Sequence, residues 1–492
     1  MELCKILESL EYDSKCEYDL SQIDICDITT DSRRAVENTV FICICGAKAD
    51  GHDFARSAYN TGCRVFVCEH DISLPDDAVI IKTENTRKAI AVMSANFFCH
   101  PAEKLKLVGI TGTKGKTSIT AVASAVLNEA GIKTATIGTN GITIDGKTYP
   151  TLNTTPDAYE LNKAFAQMVS ADVKCAILEV SSQALFLDRV YKLTFDIAVF
   201  TNLSPDHIGG AEHPSFEHYM ACKAKLFTQC RFGIFNSDDD HYPDMRQNAK
   251  CICQTYGIHA PSDLTASDIK IVKDGKMGIS FTLKYNSKSY DIICSTPGVF
   301  SVYNSLAVLA ITSRLGVSPD IAAKTLSSAS VPGRFEVVRS LDNIITIIDY
   351  AHNPLSLKNV LMTLRMYEPK RIVCLFGSVG SRTELRRFEM GKVAAEFADF
   401  SILTSDNPDR EDPKKIISDI AAAFDEAGAP YIAIPDRCEA IKYALDNARQ
   451  GDFILLAGKG HENYQIINGE KIPFSEKQII KDYCEEKATV IQ

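Results

Sequence analysis

The strongest constraint on the fold is a series of short apolar runs that are continuous and end in glycine or polar residues. In the middle of the chain these are KLKLVGIT, CAILEV (175–180) and DIAVFTNLS (196–204). A strand wet on one face alternates apolar with polar, whereas an unbroken apolar run predicts a strand of a parallel sheet covered on both faces. Later runs are IITIIDYA (344–351), RIVCLFGS (371–378), FSILTSDNP (400–408), YIAIP (431–435) and DFILLAGKG (452–460), with helix-like segments between them. They predict five strand–helix repeats, hence a doubly wound sheet. Near the N-terminus, TVFICICG, RVFVCEH and AVIIKT predict a smaller α/β unit. In all three stretches the Gly-rich and polar residues gather after the strands, which is where open α/β sheets bind ligands.

Charge and cysteine usage exclude several classes. Lys plus Arg number 53 against 63 for Asp plus Glu, a net charge of −10. That disfavours sequence-independent nucleic-acid binding, which needs basic surface. No apolar run reaches the roughly 18 residues of a membrane span. The start, MELCKILESLEYDSK, carries acids where a secretory signal has a basic region and an apolar core, so a soluble cytoplasmic protein is expected. The 17 cysteines mostly sit singly in apolar runs and read as small buried hydrophobes kept reduced. Cys43/Cys45 and Cys251/Cys253 have C-x-C spacing, unlike the C-x-x-C pairs of zinc sites.

The most specific motif is Gly112-Thr113-Lys114-Gly115-Lys116-Thr117-Ser118, between the strand LVGIT and the helix-like SITAVASAVLNEA. Small residues let backbone N–H groups approach phosphate oxygens, and the following helix N-terminus favours anions. Lys116 is placed to reach β- and γ-phosphates, and the Thr117 hydroxyl can bind Mg²⁺. A strict P-loop has Gly where this chain has Ile110, so the loop is a shortened variant. The motif predicts nucleotide binding by a central P-loop-type parallel sheet. The domains expected are 1–102, 103–335 and 336–492, the last Rossmann-like.

Three further residues are weaker signals. Glu179 ends CAILEV, where a carboxylate can meet a nucleotide-bound metal, although many strands end in an acid. His207 follows Asp206 and by itself reads as a surface-loop residue. Lys223 lies in the helix-like YMACKAKLF, and by itself reads as a lysine whose stem lies along the helix with its head in water.

With motifs in register from TTDSRR to AGKGHENYQ, the chain resembles the Mur ligases, ATP-dependent amide ligases of bacterial peptidoglycan precursor synthesis and so of cell-wall biogenesis. Within them it is most similar to the members that add the third peptide residue. The resemblance implies that ATP phosphorylates a substrate carboxylate and that an amine then displaces phosphate from the acyl phosphate. It implies two Mg²⁺ ions, one held by Thr117 and Glu179 and one served by His207 and Lys223. Lys223 is then carbamylated by CO₂, which turns an ammonium into an oxygen ligand. Asn304 is similar to a base-contacting Asn, Arg334 in PGRFE to an arginine that reaches the phosphates, and Asp349 and Asn353 in DYAHNP to nucleotide contacts. PGRFE also reads as a linker turn.

Substrate contacts are implied in the same way. Thr30 and Ser32, with the loop 46–51, resemble the uridine-binding segment. Asn153, Thr154, Thr155, Ser181 and Arg189 resemble contacts to the sugar and peptide. Gln183 and Leu187 stand where His and Gln are often found. For the incoming amino acid the resemblance points to Arg382, Asp406, Asn407, Asp409, Gly458 and Glu462. Members that add meso-diaminopimelate usually read D-N-P-R; here the fourth residue is Asp409, with Arg410 next, and acids flanking Arg382 are replaced by Ser381 and Thr383. A carboxylate at 409 repels the distal carboxylate of diaminopimelate and attracts the side-chain ammonium of L-lysine. Charge matching therefore favours L-lysine, with meso-diaminopimelate next. The expected partners are UDP-N-acetylmuramoyl-L-Ala-D-Glu and a free diamino acid, acted on by a monomer. The alternatives are another ligase of the superfamily, or a catalytically silent relative that binds nucleotide or precursor.

Overall fold

The computed structural model describes all residues except 15–17, 47–48, 207, 210–211, 274–276, 340–343, 381–383 and 492. It divides into two compact units, one of Met1–Thr265, Lys284–Lys288 and Tyr303–Ala322, the other of Ala266–Leu283, Ser289–Val302 and Ala323–Gln492. No described helix is long and apolar enough to cross a membrane.

The first unit contains two sheets. The N-terminal one has the order Asp13–Ser14, Val79–Lys82, Val65–Cys68, Thr39–Ile42, Asp27–Thr29, with only the first strand antiparallel. Side chains alternate across a strand, so Val40 and Ile42 join Leu3, Ile6 and Met93 on one face while Phe41 and Cys43 join Ala58 and Phe66 on the other. Both faces are covered, which is why TVFICICG shows no polar alternation.

The second sheet has eleven strands, in spatial order Lys147–Tyr149, Gly141–Ile144, Thr134–Gly138, Cys175–Glu179, Lys106–Thr111, Phe195–Phe200, Cys230–Asn236, Ile252–Gly257, Leu264–Val272, Gly278–Tyr285 and Lys288–Cys294. It is parallel from Thr134–Gly138 to Ile252–Gly257, and the hairpin at its edge is antiparallel. From Lys106–Thr111 the chain goes first to one side and then crosses to Phe195–Phe200 on the other. That reversal leaves a crevice at the C-terminal strand ends. Register sets Glu179 beside Ile110 and Phe200 beside Thr111, so three strand ends open side by side.

In the second unit the sheet order is Glu336–Arg339, Ile345–Asp349, Asp452–Ala457, Arg371–Phe376, Phe400–Leu403, Tyr431–Ala433. All neighbours are parallel except the first pair. Helices Pro354–Arg365 and Pro413–Ala427 cover one face with Leu361, Leu364, Ile417 and Ile420, and helix Arg437–Asp446 covers the other with Ile441 and Leu445. The five predicted strands are all present. The antiparallel edge strand and a separate hairpin, Tyr464–Ile467 with Glu470–Pro473, are additions that the sequence reading lacked.

Candidate active site

The loop after Lys106–Thr111 is shaped by its glycines and by the neighbouring strand end. Gly112 has φ 145°, and a Cβ there would sit 2.0 Å from Thr201 Oγ1; Gly115 has φ 89°, and a Cβ there would sit 2.6 Å from Asn304 Oδ1. Both positions need glycine twice over, for the left-handed backbone and for the close approach. Asn202 Oδ1 accepts from Lys114 N at 2.9 Å, and Thr201 Oγ1 donates to Lys114 O at 2.7 Å. Helix Lys116–Glu129 begins at once, with Thr117 buried and Ser118 half-buried in its first turn. Thr113 Oγ1 and Tyr219 Oη lie 3.1 Å apart.

Two lysines converge on one carbonyl. Lys116 Nζ donates to Gly112 O at 2.8 Å and Thr113 O at 3.1 Å, and Lys223 Nζ donates to Gly112 O at 2.9 Å. Lys223 is 2% exposed and lies 4.5 Å from the Tyr219 ring centroid. Its amine is not in water, contrary to what its helix alone suggests. Burial first, then the charge of Lys116, push its pKa well below the usual lysine value.

Glu179 is the hub on the adjacent strand. Its Oε2 accepts from Thr117 Oγ1 at 2.9 Å and Thr139 Oγ1 at 3.1 Å, and its Oε1 accepts from Thr139 N at 3.0 Å. A Cβ on Gly138 would fall 2.2 Å from Glu179 Oε1, so the end of Thr134–Gly138 is cut away to admit the carboxylate. Carboxylate and hydroxyl oxygens at this strand end are the hard donors Mg²⁺ requires, and Thr117 with Glu179 fits such an ion. His207 lies outside the described residues.

Thr155, Ser181 and Arg189 are brought together beside Glu179. Thr155 Oγ1 donates to Glu179 O at 2.7 Å and accepts from Ser181 N at 3.0 Å, while Arg189 Nη1 donates to Thr155 O at 2.7 Å. Thr154 Oγ1 is 3.3 Å from Thr139 Oγ1, and Asn153 is exposed. Gln183 Nε2 is buried and has no hydrogen-bond partner among the described residues. Thr30, exposed, and Ser32, half-buried, follow strand Asp27–Thr29. Between them Asp31 caps the turn Ser32–Arg34, and the Arg33 side chain pulls its carboxyl down to about 2. In the predicted uridine loop, residues 47 and 48 lie outside the described residues.

The second unit holds its own cluster at the C-terminal strand ends. Lys459 is fully buried, donating to Asn407 Oδ1 at 2.9 Å and Glu462 Oε2 at 3.0 Å, with Asp406 Oδ1 at 3.5 Å. Asn407 Nδ2 also donates to Glu462 Oε2 at 3.0 Å. Glu462, expected to meet the incoming amino acid, therefore already holds an internal ammonium. Gly458 has φ 112°, and a Cβ there would lie 2.6 Å from Asp406 Oδ2. Buried Arg437 braces both loops by donating to Ser405 O, Ala457 O and Glu476 Oε1. Sequence reasoning missed Lys459 and Arg437, although Lys459 stands inside AGKGHE.

Asp409 is half-buried with φ 55°, its N–H bonded to Ile466 O at 2.9 Å and its carbonyl accepting from Asn468 N at 2.6 Å. Arg410 is exposed, its guanidinium 3.7 Å from where a Cβ on Gly469 would sit. Arg382, Ser381 and Thr383 lie outside the described residues. Arg334 stacks on Tyr350, Cζ 4.4 Å from the ring centroid. Burial raises the pKa of Asp349, opposed by Arg334, and Asp349 Oδ2 accepts from Phe335 N at 2.7 Å. Asn353 caps helix Pro354–Arg365 by accepting from Ser356 N at 3.0 Å. Asn353→Ala should therefore lower stability by about 1 kcal/mol, the usual value of an N-cap; an unchanged urea midpoint would remove that structural role.

Residues 24–114 match the Mur ligase family catalytic domain, 110–312 the Mur ligase middle domain, and 333–460 the Mur ligase glutamate ligase domain. A UDP-N-acetylmuramoyl-L-alanyl-D-glutamate–2,6-diaminopimelate ligase of Caldanaerobacter subterraneus is 39% identical over 487 residues, 99% of each chain. A Clostridium perfringens protein of the same name is 37% identical over 99% of this chain and 100% of its own. A solved structure of a ligase so named superposes with a TM-score of 0.71 at 27% identity, covering 99% of both chains.

Proposed function

The chain belongs to the Mur ligase family, ATP-dependent amide ligases of peptidoglycan precursor synthesis, and from that premise we propose that it joins 2,6-diaminopimelate to UDP-N-acetylmuramoyl-L-alanyl-D-glutamate. The observation that carries the substrate reading is the agreement of relatives over the whole chain: Caldanaerobacter and Clostridium proteins at 37–39% identity bear that name.

In this reading the loop 112–118 cradles the phosphates of ATP and Asn304 lies by the base. Thr117 and Glu179 hold one Mg²⁺; His207 and Lys223 serve a second, Lys223 as its carbamate. Magnesium supplies charge neutralisation as the γ-phosphoryl moves to the substrate carboxylate. Burial of Lys223 supports the modification, since an amine kept neutral retains the lone pair that attacks CO₂. Thr30, Ser32, Asn153, Thr154, Thr155, Ser181 and Arg189 meet the UDP-sugar peptide. The amine attacks the acyl phosphate carbon, forming the amide bond and releasing inorganic phosphate.

The amino acid binds among Arg382, Asp406, Asn407, Asp409, Gly458 and Glu462 of the second unit. Charge matching at Asp409 alone favours L-lysine. We give more weight to the relatives, because both peptide groups flanking Asp409 are tied to the hairpin and Arg410, next in the chain, is exposed and able to pair with a distal carboxylate. Product formation with the UDP-dipeptide and, in parallel, L-lysine, L-ornithine or meso-diaminopimelate tests this. We expect kcat/KM for diaminopimelate about 10²-fold or more above lysine, because a site built for a polar group rejects the analogue lacking it. A preference for lysine would overturn the amino-acid assignment, and ATP binding without product in any mixture would favour the silent relative.

A further inference from the structure

A second donor cluster lies on the helix that carries Lys223, built from softer ligands. Helix Phe216–Ala224 presents His218 and Cys222 four residues apart, on one face, and His213 comes to them from the preceding segment. His213 Nδ1 and His218 Nδ1 are 2.9 Å apart, and Cys222 Sγ is 3.8 Å from His218 Nδ1. One donor atom from each of the three lies within 4.8 Å of the other two. His213 and Cys222 are buried, at 0% and 2% exposure, and His218 is half-buried.

Two imidazole nitrogens at 2.9 Å repel as lone pairs unless a proton or a metal ion lies between them. The outer nitrogen of His213 decides what faces inward. Its Nε2 is 2.9 Å from Ser182 Oγ, and a hydroxyl accepting the Nε2 proton leaves the Nδ1 lone pair aimed at His218 and Cys222. An outer hydrogen bond of that kind orients metal-binding histidines. The trio Cys45, Asp50 and His52 lacks this arrangement. There Glu69 N donates to His52 Nε2 at 2.9 Å, so His52 Nδ1 carries the proton and gives it to Asp50.

We propose that His213, His218 and Cys222 bind one borderline-soft divalent cation of the zinc class. A tetrahedral ion at roughly 2.0–2.3 Å from each donor sets N···N at about 3.4 Å and N···S at about 3.6 Å, so the two Nδ1 atoms, now 2.9 Å apart, open slightly while Cys222 Sγ, now 3.8 Å from His218 Nδ1, closes in. The same set discriminates against Mg²⁺, which takes hard oxygens. Binding replaces the Cys222 S–H bond by an S–metal bond and releases that proton to water, while both imidazoles donate lone pairs without losing a proton. Three protein ligands leave a fourth position for water. The site enlarges the chemistry expected of the cysteines, since the H-x4-H-x3-C spacing matches none of the motifs sought in the sequence.

The test uses the full chain, freed of metal, and Co²⁺ alone as the probe. We expect a thiolate-to-cobalt charge-transfer band that saturates at one equivalent, is displaced by Zn²⁺ and persists in excess Mg²⁺. Cys222→Ser should abolish the band, and Ser182→Ala should weaken affinity about 10–100-fold, as loss of an outer-shell partner does. Zinc X-ray absorption of the wild-type chain should show two nitrogen ligands and one sulfur. No band at one equivalent, or a band undiminished in Cys222→Ser, overturns the proposal. These readouts do not depend on ligase turnover, so failure here is distinct from failure of the proposed reaction.

Discussion

Lys116→Met should lower kcat for amide formation by about 10²–10³-fold, the usual loss when one preorganised charge is removed from a developing anion, with little change in folding. The structure separates the two effects. Lys116 is only half-buried and its ammonium donates to two loop carbonyls, Gly112 O and Thr113 O. Methionine keeps the stem, and Gly112 O retains the hydrogen bond from Lys223. Steady-state phosphate release alongside thermal unfolding would measure both. A rate within about tenfold of wild type would mean that the 112–118 loop does not stabilise the transferred phosphoryl group.

Lys459→Met should act on both stability and the amino-acid step. The lysine is fully buried and faces Asp406, Asn407 Oδ1 and Glu462 at 2.9–3.5 Å. Removing one partner of a buried ionic cluster leaves uncompensated charge, at a cost of about 3–5 kcal/mol. Below the unfolding transition, the two carboxylates should repel and spread, raising KM for the amino acid while KM for ATP holds. Lys459→Arg, which retains charge but not shape, should recover part of the stability and less of the KM. A Met variant as stable as wild type, with unchanged KM for the amino acid, would remove Lys459 from this account.

Legibility in the sequence followed how local each feature is. The phosphate loop was readable because strand, glycines, lysine and helix fall within about twenty consecutive residues. The partners of Glu179 were not: Gly138 and Thr139 lie 41 and 40 positions earlier in the chain and meet it only through the register of Thr134–Gly138 beside Cys175–Glu179. Lys223 read as a surface lysine because its neighbours on the helix do not reveal that Gly112 O lies above it. The family resemblance, not the helix pattern, singled it out.

The second unit gives the opposite lesson at one place. Asn468-Gly469 between QII and EKIP is a strong short-range hairpin signal, and both residues do have positive φ, 54° and 84°. That hairpin was legible and went unread. It matters because it fixes the backbone around Asp409, the residue on which the choice between lysine and diaminopimelate was made. Reading Asp409 by charge alone ignored the left-handed conformation that decides where its carboxylate points. Glu462 likewise does not stand alone: it pairs with buried Lys459 three residues away.

The most direct test of the central claim follows oxygen atoms. UDP-N-acetylmuramoyl-L-alanyl-D-glutamate labelled with ¹⁸O in the reacting carboxylate is incubated with Mg·ATP and diaminopimelate, and phosphate and product are weighed by mass spectrometry. An acyl phosphate predicts ADP, inorganic phosphate carrying one ¹⁸O from the carboxylate, and an amide that has lost that oxygen. Unlabelled phosphate, or AMP with pyrophosphate in place of ADP, would contradict the account.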